Sequence, residues 1–183
     1  MTYFNSREVA TIALFAGLWG VLNSIFAPIV FQMFGLPILC DMIGFASLIL
    51  TVWFIRKFGA VTVVGLIATV INFIFNPGGV HFLGFTAASI VFDVMARLIG
   101  YDRCFKKPMF TTASMFSISV LSAAVAGTII GMFFMAAPAL AKWGGVLGWA
   151  GLHAAGGVIG GIIGIASVTS LAARGVRGMD VKK

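Results

Sequence analysis

Six long apolar segments, separated by short breaks rich in charge, proline or glycine, limit what this chain can fold into more than any other feature. Inside a bilayer every backbone polar group must find a partner within the protein, so only helices and closed barrels can span it. The segments lack the alternation of polar and apolar residues that barrel strands show. They are therefore predicted to be membrane helices, at roughly 9–26, 36–55, 60–75, 80–98, 109–137 and 143–173.

The composition agrees with a membrane environment. Hydrophobic residues make up 61% of the chain and charged residues 9%, whereas ordinary soluble domains are about 25% charged. A soluble helical protein of this composition would expose apolar patches far larger than monomers tolerate. We therefore predict one all-α integral membrane domain over residues 1–183, a six-transmembrane-helix bundle that crosses the cell membrane several times.

Positive charges fall almost entirely on one side when the six segments are laid out alternately. Lys142 is alone on the other side, against eleven residues: Arg7, Arg56, Lys57, Arg97, Arg103, Lys106, Lys107, Arg174, Arg177, Lys182 and Lys183. The positive-inside rule predicts that both termini are cytoplasmic, which requires an even number of spans. This topology accounts for the net charge of +7, so no nucleic-acid partner is predicted, although the basic turns favour anionic membrane lipid.

Polar side chains within the apolar segments converge on the side opposite the positive charges. The five residues come from four different helices, and nearly all map to the outer third of the bilayer: Asn23, Asp41, Asn72, Asn76 and His81. Polar groups are costly in membrane helices and usually functional, so these residues are predicted to line a ligand-binding site that opens outward. Asp41 is the one acidic residue in that half, so an amine-bearing or cationic ligand would pair with it.

Each of these residues also has a structural interpretation. Asp41 follows Pro37 by four residues and suits the cap of a helix N-terminus. Asn72 can hydrogen-bond a neighbouring helix, and His81 can lie at the membrane interface. The site interpretation is preferred because four helices contribute to the same leaflet.

The last segment combines small residues with two candidate ligand-binding side chains. Gly156, Gly160 and Gly164 recur every four residues and allow a neighbouring helix to approach closely. His153 lies on this face about 15 Å from the start of the helix, where it either donates to a facing carbonyl or forms the floor of the pocket. Trp149, one turn earlier, either stacks on a flat ligand ring or belongs to the interfacial aromatic belt.

The first segment carries a separate stripe of small residues. Ala13, Gly17, Gly20 and Ser24 fall at i, i+4, i+7 and i+11, within a narrow arc of the helix. Such a stripe predicts a docking face for another helix, either of a partner protein or of the same chain. Asn23 projects about 100° away from the stripe, toward the bundle interior.

Motifs for catalysis are missing from the sequence. It contains no nucleotide-binding P-loop, no metal-spaced cluster of Cys and His, and no nucleophile motif. No enzyme activity, cofactor or metal is predicted, although a membrane enzyme built on Asp41 and His153 is an alternative. The chain also lacks an internal half-repeat, which is not typical of a transporter that works alone.

Four features of the sequence occur together: six spans in 183 residues, the opening helix TIALFAGLWGVLN, the IRKFGA turn and the NPGG loop. In this combination the chain resembles the substrate-binding S components of energy-coupling factor (ECF) vitamin transporters, and most closely the hydroxymethylpyrimidine/thiamine type. The A-x-x-x-A pattern of that family appears here as Ala13 followed by Gly17.

The resemblance implies a function and a set of partners. The stripe on the first helix would dock on a transmembrane coupling protein driven by two ATPase subunits, and outer loops at 27–36, 76–81 and 138–142 would close over the substrate. The expected substrate is a thiamine-like or aminopyrimidine vitamin precursor, with Asp41 bound to its amino group or cationic ring. Asn23 and Asn72 would bind ring heteroatoms, and Trp149 and His153 would supply stacking and a floor. Alternatives are an S component for another vitamin and a small channel or helix-packing subunit.

The charge asymmetry makes the topology testable. A cysteine placed in the NPGG loop is expected to react with an impermeant thiol reagent added outside sealed cells, whereas the native Cys104 is expected not to react. Reaction of Cys104 in intact cells would contradict the orientation.

Overall fold

The fold is built entirely from helices in the part of the chain that the computed structural model describes, residues 3–178. The helices are α1 (Ser6–Phe34), α2 (Ile38–Phe54), α3 (Ala60–Phe75), α4 (Phe82–Ile99), α5 (Tyr101–Cys104), α6 (Pro108–Phe133), α7 (Ala137–Lys142) and α8 (Gly145–Ala173). The predicted all-α class is therefore confirmed. Lys182 and Lys183, used in the charge argument, lie outside the described residues.

Four helices, α1, α4, α6 and α8, are long and apolar enough to cross a membrane. Their length and apolarity indicate a membrane protein. The two other apolar helices are shorter, with 17 residues in α2 and 16 in α3. At 1.5 Å per residue these two reach about 25 Å, somewhat less than the hydrocarbon core of a typical bilayer.

Helix α1 extends well beyond its predicted end at residue 26. It continues through Pro28 to Phe34 and ends at Gly35, which adopts a left-handed conformation (φ 68°). Proline was interpreted as a break, but membrane helices tolerate proline because neighbouring groups satisfy the freed backbone carbonyl. Most of the segment 27–36 is thus helical rather than a loop. Conversely, the predicted fifth segment stops at Phe133, and the short α7 follows it.

Helix α8 packs closely against both α2 and α6, because its glycines are distributed over two faces. A Cβ atom added at Gly160 would lie 2.7 Å from the carbonyl oxygen of Asp41 in α2. One added at Gly157 would lie 2.6 Å from the Cβ of Ala123 in α6. Neither approach is compatible with a side chain at that position, so paired glycines let α8 contact two helices at backbone distance.

The basic turns gather at one end of the bundle. Lys57, between α2 and α3, pairs with Glu8 of α1 at 2.8 Å, and Arg56 pairs with Asp102 at 3.0 Å. The Asp93 carboxylate of α4 accepts hydrogen bonds from the backbone N–H of Gly59 and from Thr62, and so caps the start of α3.

Cys104 lies at this same end but is buried. Its failure to react with a thiol reagent would therefore not report orientation, since no reagent can reach it from either side. The exposed Lys106, replaced by cysteine, is the appropriate comparison for the NPGG position. It is expected to react only after the membrane is permeabilised.

The glycine contacts predict a specific effect on stability. Gly160→Ala is expected to lower the free energy of unfolding by about 1–3 kcal/mol, because the new methyl group forces α8 away from α2. Gly151→Ala in the same helix is the matched control, since a Cβ there meets nothing within 4 Å. Unfolding in detergent would measure both, and equal stability of the two variants would contradict the packing argument.

Candidate functional site

A cavity of about 220 Å³ lies at the end of the bundle opposite the basic turns. The second half of α1, the starts of α2, α4 and α8, and the ends of α3 and α6 surround it. Five of the six predicted binding residues line it: Asn23, Asn72, His81, Trp149 and His153. No Asp, Glu, Lys or Arg is among the residues of the described chain that line the cavity.

Two asparagines join α1 to α3 beside the cavity. The Asn23 Nδ2 donates to Asn72 Oδ1 at 3.1 Å, and the Ser24 hydroxyl donates to the same oxygen at 3.3 Å. This contact matches the structural interpretation of Asn72 as a bond between helices. It leaves Asn23 Oδ1 and Asn72 Nδ2 buried without a protein partner, so both residues also retain a group for a ligand.

Asp41 is placed differently from its prediction, because it does not line the cavity. Its carboxylate oxygens lie 3.1 and 3.0 Å from Nδ1 of His153, and the two residues are 0% and 1% exposed. A Cβ at Gly156 would lie 2.5 Å from Asp41 Oδ2, so the glycine makes room for the pair. The start of α2 has no side-chain cap. Asp41 therefore pairs with His153, and it neither caps α2 nor lines the cavity.

Aromatic rings surround the His153 ring at the cavity wall. Trp149 meets Phe31 edge to face at a centroid distance of 6.3 Å and meets the His153 ring at 5.8 Å. Phe85 approaches the other side of His153 at 5.5 Å. Trp149 is buried, and its Nε1 has no partner in the described protein. It is thus part of the cavity wall rather than of an interfacial belt.

His81 stands in the turn before α4 and borders the cavity. Burial lowers the pKa of its imidazole below the ordinary value, and the interaction with the His153 imidazole lowers it further. His81 is therefore neutral near pH 7. Among the described residues no three His, Cys, Asp or Glu side chains are close enough together to hold a metal ion.

Sequence reasoning missed several wall residues. Phe31 and Gln32 were missed because α1 was expected to end before them. Phe31 follows Asn23 and Ala27 at intervals of four, and Gln32 follows Pro28 by the same interval. Phe85, one turn after His81, follows the same rule and was identifiable in principle. Three further wall residues are apolar or small and carry no signal in the sequence: Cys40 in α2, Ile130 in α6 and Met135 after the end of α6.

The small-residue stripe of α1 is divided between two environments. Ala13 is exposed, and a Cβ at Gly17 would meet nothing within 4 Å. Gly20 instead packs against Ile71 of α3, and Ser24 hydrogen-bonds Asn72. The outer half of the stripe thus serves the bundle itself, as in the alternative interpretation, and only Ala13 and Gly17 are left for a partner.

No protein-family model, no curated protein and no solved structure matches this chain. The chemistry of the cavity is consequently the main guide to function. It is small, enclosed by aromatic and amide side chains, and free of exposed charge on the residues that line it. Such a site suits a compact aromatic ligand with several hydrogen-bonding atoms.

The pairing of Asp41 with His153 predicts strong energetic coupling. His153→Leu leaves the Asp41 carboxyl group buried alone and is expected to cost about 3 kcal/mol of unfolding free energy. The double variant Asp41→Leu/His153→Leu removes both polar groups and is expected to recover most of that loss. Unfolding of the two single variants and the double variant in detergent measures the coupling, and simply additive losses would contradict it.

Proposed function

We propose that the protein is the substrate-binding S component of an ECF-type importer. In this proposal it captures a thiamine-like or aminopyrimidine vitamin precursor outside the cell. A transmembrane coupling protein and two ATPase subunits then drive uptake. The six apolar helices all span the cell membrane, with both termini in the cytoplasm, and the role of the chain is binding rather than catalysis.

The observation that carries the proposal is a set of buried polar atoms without partners. Nine buried side-chain atoms of the described residues lack such a partner, and four of them belong to residues of the cavity wall: Asn23 Oδ1, Asn72 Nδ2, Trp149 Nε1 and His153 Nε2. Buried polar groups in native proteins nearly always have partners, since an unmade hydrogen bond costs about 1–3 kcal/mol. Four such atoms around one cavity are accounted for by a ligand that supplies the missing bonds. A subunit that only packs helices has no use for them.

The position of the cavity supports uptake from outside. It lies at the end of the bundle away from Lys57, Arg103 and Lys106, which the positive-inside rule assigns to the cytoplasm. Because α2 and α3 are short, they can span the membrane only if the bilayer thins locally or if flanking side chains extend to the interface.

The free part of the α1 stripe supports a docking role. Ala13 and Gly17 lie in the half of α1 nearer the basic end, and the open space at Gly17 lets another helix approach the backbone. Gly17 is six residues, about 9 Å along the helix, from Asn23 at the cavity. Docking and ligand binding therefore use separate parts of one helix.

Replacing Gly17 by leucine tests both parts of the proposal. Because a Cβ at Gly17 would meet no atom of residues 3–178 within 4 Å, Gly17→Leu is expected to fold and to keep its ligand affinity. Uptake of labelled hydroxymethylpyrimidine or thiamine by cells with the coupling proteins is expected to fall at least about tenfold, since close helix contact is blocked. Gly151→Leu makes the same change at an exposed glycine of α8 and should transport normally.

Two outcomes would contradict the proposal. Normal uptake by Gly17→Leu would remove the docking role of the stripe. If none of a panel of vitamins and their precursors raises the melting temperature of the purified chain, the binding role fails, and the channel or helix-packing alternative is preferred.

A further inference from the structure

The charge balance of the cavity depends on a single pair of residues. Asp41 is the only acidic side chain next to the cavity wall in the described chain, and its hydrogen bonds there go only to His153. The wall itself contains no charged side chain, and its other histidine, His81, is neutral. Nothing else in the described part of the site can balance an anionic Asp41.

An isolated carboxylate buried in a membrane protein is very costly, and such a group neutralises or acquires a counter-charge instead. The protons then belong to the pair rather than to either residue. One arrangement without net charge, in which Nδ1–H donates to a protonated carboxyl group, leaves the buried carboxyl hydrogen without an acceptor in the described chain. Two forms without net charge avoid this loss. Either Asp41 is protonated and donates to Nδ1 of a neutral His153, or an anionic Asp41 accepts from Nδ1 of a protonated His153. Both forms place a hydrogen on Nε2.

We propose that Asp41 and His153 hold the site electrically neutral, so that His153 Nε2–H is a fixed donor and the site selects an uncharged aromatic heterocycle over a cation. The identity of the ligand class rests on the proposed function, whereas the protonation of the pair does not. Asp41 is a positioning residue in this scheme, because it sets the state of His153 without touching the ligand.

The other unpartnered atoms define the matching ligand. Trp149 Nε1 and Asn72 Nδ2 are also donors, and Asn23 Oδ1 is an acceptor. A ligand that matches this arrangement presents three acceptors and one donor. An aminopyrimidine that carries a hydroxymethyl group does so with two ring nitrogens, a hydroxyl oxygen and an amino group. The cavity of about 220 Å³ is below the roughly 300–1,000 Å³ of most small-molecule sites, which favours a compact ligand.

Nitrogen NMR of the full-length protein in lipid tests the protonation directly. The chain has two histidines, so ¹⁵N-histidine labelling gives two pairs of imidazole nitrogen signals, which the His81→Gln variant assigns to their residues. We expect His153 Nε2 to carry a hydrogen at pH 7. In Asp41→Leu, which cannot share a proton, the His153 signals are expected to change. An unprotonated Nε2 in the wild type, or identical His153 signals in Asp41→Leu, would overturn the proposal.

A matched pair of ligands tests selectivity. Thiamine and its neutral isostere, in which carbon replaces the positively charged ring nitrogen, have nearly the same shape but different charge. We expect the isostere to bind at least about tenfold more tightly, because the neutral site offers a cation no counter-ion. Equal or tighter binding of thiamine would overturn the selectivity. If the NMR and binding results are as expected but the wild-type protein supports no uptake in cells with the coupling proteins, only the proposed function is contradicted.

Discussion

The contact between α8 and α2 at backbone distance is the constraint on which the rest of the structure depends. Gly156 and Gly160 remove the side chains that would hold these helices apart. Only at this separation can the His153 ring reach the Asp41 carboxylate. The same approach turns the opposite edge of His153 toward Trp149 and the cavity. The glycines of α8 therefore determine both how these two helices pack and where the side chains of the site lie.

Much of the helical framework could be predicted because membrane helices have a strong local signal. Apolar length alone located α3, α4 and α8 to within about two residues. The same reasoning failed at Pro28, because the tolerance of a membrane helix for proline depends on neighbours that the local sequence does not identify. The end of α6 at Phe133 was similarly hidden, since residues on both sides of it are apolar.

The candidate site was predictable only in part. Depth in the bilayer indicated that Asn23, Asn72 and His81 belong near one another, and they line one cavity. The partner of Asp41 could not be found this way, because it lies 112 positions away in the chain and pairing depends on the rotation of both helices about their axes. A single sequence indicates the depth of a residue in the bilayer much better than the rotation of its helix about the helix axis. Asp41 was therefore predicted to bind the ligand, whereas in the structure it contacts the side chain of His153.

Pro28 lies inside α1 at the cavity wall, where it affects the shape of the cavity mouth. Proline supplies no N–H to the carbonyl of Ser24, which weakens α1 at that turn. On one side of this turn Asn23 is tied to α3; on the other, Phe31 and Gln32 border the cavity. The part of α1 beyond Pro28 can therefore bend relative to the first part of the helix, which is tied to α3. A bend of α1 at this one residue would change the width of the cavity mouth and leave the glycine contacts of α8 with α2 as they are.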